Sequence, residues 1–231
     1  MCGRYVLFSS AAEIADAFDV VDVPALPARY NVAPTTEVPC VRLHEGRRCV
    51  VPLRWGLIPS WAKDPSIGTR LINARIETLF EKNAFKTSLQ KRRCLVVSNG
   101  FYEWVGPARA RRPVLVRFDD ARPFAYAGLW ARWQPNDGAA PIESCTIVTM
   151  APNALAARVH DRMPVILDPR TDGARIEEWL DVARTVDLAS LRVPRDIAGL
   201  RFFPVDRRVG NVRNDDAACI APTGPADTLP A

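Results

Sequence analysis

The spacing of apolar and polar positions changes along the chain, and each change predicts an element. VLF, directly after the opening MCGRY, forms a short apolar run and predicts a strand. SSAAEIADAF has helical spacing, and Ser10 with Glu13 three residues on makes a capping box at its start. PALPARYNVAPTT is proline-rich and predicts a loop. EVPCVRL and RRCVVPLRWGLI flank HEG and predict a hairpin. PSWAKDPSIGT predicts another loop, and NARIETLFEKNAF has the spacing of a helix. RCLVVSNGFYEWV is a strand run interrupted at Asn99-Gly100, a turn or bulge signal.

RPVLVRFD, PFAYAGLWARW and ESCTIVTM predict three further strands. PNALAARV predicts a short helix capped by Asn153, RMPVIL a strand, DGARIEEWL a helix opened by Asp172, and LRFFPVD a last strand. APTGPADTLPA has no periodicity, so residues 223–231 are expected to be a disordered tail behind one domain over 1–222. Strands outnumber helices and mostly follow one another directly. Such an order favours antiparallel pairing in an α+β or mainly-β fold over alternating βαβ units.

Composition narrows the class without choosing a function. The chain has 231 residues, 48% hydrophobic and 25% charged, with a net charge of +5. That is enough chain for one well-buried core, and the mild positive excess suits an anionic partner without demanding one. The six cysteines, at 2, 40, 49, 94, 145 and 219, form no CxxC pair, and the two histidines are His44 and His160. The sequence therefore offers no zinc-ligand pattern and implies no cofactor. Arg4, Glu13, Asp16 and Asp19 break any apolar leader core, and no apolar run approaches membrane-spanning length. The expectation is a cytoplasmic protein with reduced thiols and no membrane partner, and a monomer, since no coiled-coil pattern occurs.

Three side chains carry possible chemistry, each with a plainer alternative. Cys2 would bear an α-amine and a thiol on adjacent carbons once Met1 is removed; otherwise it is a cysteine that happens to follow methionine. The amine attacks an aldehyde to give an imine, and the thiol then closes a five-membered ring at high effective molarity. His160, between a helix and a strand, is a proton carrier or a helix C-terminal cap. Glu103 shares a strand face with Phe101, opposite Tyr102 and Trp104; it is a buried acid or base, or an edge-strand glutamate facing water. Asn73 and Arg75 stand at a predicted loop-to-helix start, where Asn73 reads as a helix cap and Arg75 as a solvated charge. Arg29 beside Tyr30, Arg54 beside Trp55, Trp61 near Lys63, the run Lys91-Arg92-Arg93, and Arg207, Arg208 and Arg213 place cations near flat rings or in clusters. That pattern suits a single-stranded nucleic acid, and equally an ordinary charged face.

The motifs MCGRY, RYNVAPT, RWGLIPSW, LINARIET, RRCLVVSNGFYEW, VTMAPNALAARVHDRMPVIL and VGNVRND occur in an order that resembles the SOS-response-associated peptidase family, over nearly the whole chain. The resemblance implies an α+β fold in which mainly antiparallel β-sheets form a barrel-like core flanked by short helices. It implies sensing of abasic sites in single-stranded DNA, with Cys2 as the N-terminal nucleophile and Asn73, Glu103 and His160 as its catalytic partners. It further implies Arg75 and Arg162 as phosphate contacts and Pro34 and Trp61 as linings of the DNA cleft; Arg4 is expected to join the phosphate contacts. Two positions depart from the pattern of some members: Ser60 stands where they carry a second tryptophan, and Asn83 where they carry an arginine. Under this reading His160 and Glu103 move protons while Cys2 forms a thiazolidine with the opened sugar. Two rivals stand beside it: a cysteine peptidase or amidohydrolase using Cys2 and His160, and a non-covalent single-stranded DNA binder.

Overall fold

The computed structural model describes residues 2–107 and 109–230. Its strands in chain order are β1 (Tyr5–Leu7), β2 (Arg29–Val32), β3 (Glu37–His44), β4 (Arg47–Trp55), β5 (Asn73–Arg75), β6 (Arg93–Ser98) and β7 (Gly100–Val105), followed by β8 (Arg112–Phe118), β9 (Phe124–Trp133), β10 (Ile142–Met150), β11 (Met163–Pro164), β12 (Ile166–Leu167) and β13 (Leu200–Pro204). The α-helices are α1 (Ala11–Phe18), α2 (Asn83–Lys91), α3 (Ala154–Ala157), α4 (Gly173–Leu180) and α5 (Leu188–Leu191).

Five strands close on themselves in the order β10-β4-β3-β6-β9, with β9 pairing back onto β10. Each step is antiparallel except β4 to β10, which runs parallel at Ser144↔Arg54 and Cys145↔Trp55. A second, five-stranded sheet has the order β13-β8-β7-β1-β2, antiparallel throughout. Together with the short helices this is the expected α+β class with a barrel-like core. The main core is shared by both sheets and the helices packed on them and includes Tyr5, Trp55, Phe101, Tyr126 and Trp179; a smaller one on the other face of the second sheet includes Tyr102, Val209 and Cys219.

Asn99-Gly100 passes the chain from the barrel to the second sheet. The Asn99 side chain accepts from the N–H groups of Phe8 and Ser9 (2.9 and 3.0 Å) and donates to Ser9 Oγ and the Ala121 carbonyl (2.8 Å each). Its backbone N–H donates to the Val6 carbonyl at 2.8 Å. Gly100 is required by proximity: a Cβ there would lie 2.7 Å from the Val116 carbonyl oxygen and 2.9 Å from Arg117 Cβ. One dipeptide thus ends β6, begins β7 and anchors the far end of β1.

Several predicted elements hold. The 37–55 hairpin forms. The Ser10–Glu13 capping box is complete on both arms, and Asn153 caps α3 by accepting from the Ala156 N–H. Others differ. The proline-rich stretch contains β2, and PSWAKDPSIGT contains a 3-10 helix over Pro65–Arg70. NARIETLFEKNAF is not one helix. It begins as β5, which pairs in parallel with β10 at Ile147↔Asn73, passes through a 3-10 turn at Ile76–Thr78, and becomes α2 only at Asn83. Pairing with a buried strand overrides the local helical spacing. RMPVIL splits at Val165, whose N–H donates to the Val148 carbonyl at 2.9 Å. Asp172 does precede α4, but its carboxylate accepts from the Asp168 N–H at 2.9 Å rather than capping the helix.

The segment 223–230, expected to lack order, lies along β13. Thr223 N–H donates to the Pro204 carbonyl at 2.8 Å. Asp227 exchanges bonds with the Phe202 backbone through its own N–H (2.7 Å) and carboxylate (3.0 Å).

Candidate active site

The start of the chain is held by the second sheet. β1 pairs with β7 at Tyr5↔Phe101 and Val6↔Gly100, and the Tyr102 N–H donates to the Arg4 carbonyl at 2.9 Å. Continued backwards, that register sets Gly3 opposite Glu103 and brings Cys2 beside the carboxylate. β7 lies between β8 and β1, so Glu103 is on an interior strand and is buried. This excludes the edge-strand reading. The alternation holds: Phe101 packs into the main core, while Tyr102 and Trp104 pack on the other face.

Asn73 arrives from β5. Its side-chain N–H donates to the Cys2 carbonyl oxygen at 2.8 Å, so it ties the chain start to the barrel and caps no helix. Its Oδ1 is buried and accepts no hydrogen bond among the described residues. His160 follows α3, where its N–H donates to the Ala156 carbonyl at 2.9 Å. The imidazole turns to Glu103, with Nε2 3.9 Å from Oε2. Nδ1 lies 3.0 Å from the Arg162 backbone N–H. The Asp161 carboxylate lies 2.7 Å from Nδ1 and would meet a proton placed there.

Residues 2, 73, 103 and 160 thus converge from four separate stretches of the chain. Burial raises the pKa of Glu103, and the charge of His160 opposes that rise. Burial also pushes the Cys2 thiol far up, and the Glu103 charge adds to the effect. A fully buried thiol beside a carboxylate is therefore held in its S–H form near neutral pH. Met1 lies outside the described residues.

The expected DNA contacts divide into two groups. Arg75 is exposed at the end of β5, and Trp61 is 58% exposed. Pro34 is partly exposed in the turn between β2 and β3, where the Thr35 N–H donates to the Trp55 carbonyl at 2.7 Å. The other two arginines are engaged within the fold. Arg162 makes a bidentate pair with Glu77 (2.7 and 2.9 Å) and donates to the Thr149 carbonyl at 2.8 Å. Arg4 donates to Asn31 Oδ1 (2.9 Å) and the Val209 carbonyl (3.1 Å), both neutral acceptors, and its burial lowers its pKa. Ser60 and Asn83 are exposed, so the two departures alter surface positions.

Several other cations singled out by aromatic neighbours or by clustering are structural. Arg29 pairs with Asp215 and Arg208 with Asp216, while Arg93 is buried and donates to the backbone carbonyls of Leu89, Trp179, Asp181 and Arg184. Glu77 was not singled out, although LINARIET contains it two residues after Arg75. Asn31 and Asp215 were also missed, although RYNVAPT and VGNVRND contain them. Asp215 accepts from the N–H groups of Tyr30 and Asn31, and Asn31 donates to the carbonyls of Val209, Asn211 and Asn214 (2.9–3.1 Å). These bonds fix the loop against which Arg4 is held.

The sequence model of the SOS response associated peptidase (SRAP) family matches residues 1–212. The chain belongs to that family. Among SRAP relatives it is 36% identical over 223 residues to the abasic site processing protein YoaM of Bacillus subtilis (strain 168), covering 94% of this chain and 96% of that one. It is 31% identical to the abasic site processing protein HMCES of Gallus gallus, covering 84% of this chain and 66% of that one. A crystal structure of a protein from Bacteroides thetaiotaomicron superposes with a TM-score of 0.83 at 25% identity, covering 96% of this chain and 100% of the other. No helix among the described residues is long and apolar enough to cross a membrane.

Proposed function

We propose that the protein recognises abasic sites in single-stranded DNA and joins itself to the lesion through Cys2. The observation that carries this reading is the convergence of Asn73, Glu103 and His160 on the start of the chain. The names of YoaM and HMCES, both abasic site processing proteins, support it.

Removal of Met1 frees the Cys2 α-amine. The amine nitrogen attacks C1′ of the open aldehyde, and loss of one water gives an imine. The thiol then adds across C=N: sulfur bonds to carbon, its proton goes to nitrogen, and a thiazolidine results. Glu103 as carboxylate takes a proton from the attacking amine, and His160 moves a proton to and from the departing oxygen. Asn73 holds Cys2 by its carbonyl, and its buried Oδ1 is available to accept from the freed amine. Arg75, Trp61, Pro34, Arg4 and Arg162 line and support the DNA cleft. The protein acts as a cytoplasmic monomer without a cofactor, and the cross-link shields the lesion.

The cysteine-peptidase reading is weaker. Such enzymes depress the pKa of their thiol, whereas burial here raises that of Cys2.

The test is a denaturing gel after incubation with a single-stranded oligonucleotide carrying one abasic site. The wild type is expected to give a shifted band whose mass is protein lacking Met1 plus oligonucleotide less one water. Cys2→Ala and an N-terminally extended form should give none. An equal band from Cys2→Ala, or an active protein that retains Met1, would overturn the proposal.

A further inference from the structure

Glu103 and His160, the proposed proton carriers, line a cleft of about 620 Å³ whose lining includes none of Arg75, Arg162, Trp61 or Pro34. It runs instead between the end of β7, the turn after α3 and the C-terminal segment. Trp104, Arg111, Arg158 and Leu229 are among its walls. A cleft of this size accommodates a ligand larger than the reacting sugar, and it brings two further cations, Arg111 and Arg158, beside the site.

Arg111 is exposed just before β8, at the tip of the β7–β8 hairpin, in the basic stretch Arg109-Ala110-Arg111-Arg112. Neither Arg111 nor Arg158 makes an ion pair among the described residues. That distinguishes them from Arg162, whose charge is met by Glu77. Arg158 is nevertheless held in place. Its guanidinium lies 5.0 Å from the centroid of the Phe202 ring, and one N–H donates to the Asp227 carbonyl oxygen at 2.9 Å. The Asp227 carboxylate itself is taken by Arg201. A carbonyl satisfies one N–H without cancelling the charge, so Arg158 is both oriented and electrostatically open.

We propose that Arg111 and Arg158 bind phosphate groups of the same DNA strand on the side of the lesion away from Trp61 and Arg75. The strand then crosses the site from one cationic wall to the other, with the reacting sugar at Glu103 and His160 between them. This inference rests on the proposed reading of single-stranded DNA as the ligand. The basic hairpin tip positions phosphates and carries no base specificity.

Binding of a labelled, lesion-free single-stranded oligonucleotide is measured by fluorescence anisotropy over a series of salt concentrations. Each phosphate contact in a single strand contributes about 0.7 to the slope of log affinity against log salt. Arg111→Ala/Arg158→Ala should flatten the slope by about 1.4, and the paired lysine substitutions should restore it. Arg47→Ala, in the β3–β4 hairpin, should leave it unchanged. An unchanged slope for the double alanine variant, or an equal loss for Arg47→Ala, overturns the proposal.

A second arm uses two oligonucleotides with the abasic site near either end. The double alanine variant should cross-link more slowly than the wild type with one of them only; equal slowing with both overturns the proposal. If the wild type cross-links neither, the cross-linking reading fails, while the salt slope still decides the phosphate track.

Discussion

The Asn73 side chain donates to the Cys2 carbonyl oxygen at 2.8 Å, so a residue from a strand of the barrel sheet holds Cys2, the proposed nucleophile, just ahead of the other sheet. The bond is made to the backbone of Cys2 and controls where its amine and thiol stand. Asn73→Ala should lower the cross-linking rate about 100-fold through misplacement, with little change in oligonucleotide affinity. Single-turnover gel kinetics beside anisotropy separate the two effects; a parallel loss of affinity would assign Asn73 to DNA binding instead.

Glu103 gives a pH dependence of definite sign. Burial sets its pKa above the ordinary carboxylate value. As a base it works only when ionised, so the cross-linking rate should rise with pH through that raised pKa. Glu103→Gln should remove this limb and lower the rate about 10²–10⁴-fold. Stability runs the opposite way. A carboxyl with a raised folded-state pKa stabilises the fold below its unfolded pKa, and that contribution is lost as pH rises through the folded value. Glu103→Gln should therefore be more stable than the wild type above neutral pH, as urea melts at two pH values would show.

Arg162 and Glu77 predict a structural effect separable from DNA binding. Their hydrogen bonds lower the Glu77 pKa, so the stabilisation is present above the unfolded pKa of Glu77 and is lost as pH falls through the folded one. Arg162→Ala should cost about 1–3 kcal/mol at neutral pH, and less in acid. If the salt slope for DNA binding also flattens, Arg162 exchanges Glu77 for a phosphate. If only stability falls, Arg162 supports the site from within.

Gly100→Ala should destabilise the protein by about 1–3 kcal/mol, because the new methyl would press on the Val116 carbonyl and Arg117. Since β7 and β1 both depend on this corner, cross-linking should fall as well. A melting temperature unchanged from wild type would show that β8 can retreat.

The parts of this architecture legible in the sequence are those set by neighbours in the chain. The Ser10–Glu13 box, the Asn153 cap and the 37–55 hairpin each depend on residues within a few positions, and each formed. The parts that were not legible depend on distant partners. Asn73 and Arg75 have helical spacing around them, yet β10, some 70 residues away, makes them a strand. The proline-rich stretch became β2 because β1 pairs with it. Arg162 reads as a surface cation until Glu77 is seen beside it. For the site, local reading left each residue with an ordinary alternative. The order of the long motifs brought the four together, and β5 and β7 supply the physical reason why Asn73 and Glu103 are neither a cap nor an edge residue.

The place of β1 between β7 and β2 also bears on synthesis. The first strand made is an interior strand, and one of its two neighbours, Gly100–Val105, appears only after a hundred residues have been added. At about 5–20 residues per second that takes about 5–20 s. Through that interval β1 lacks the strand that later pairs with it. β1 can pair with β2 well before then, so the sheet that holds Cys2 is completed only when Gly100–Val105 arrives.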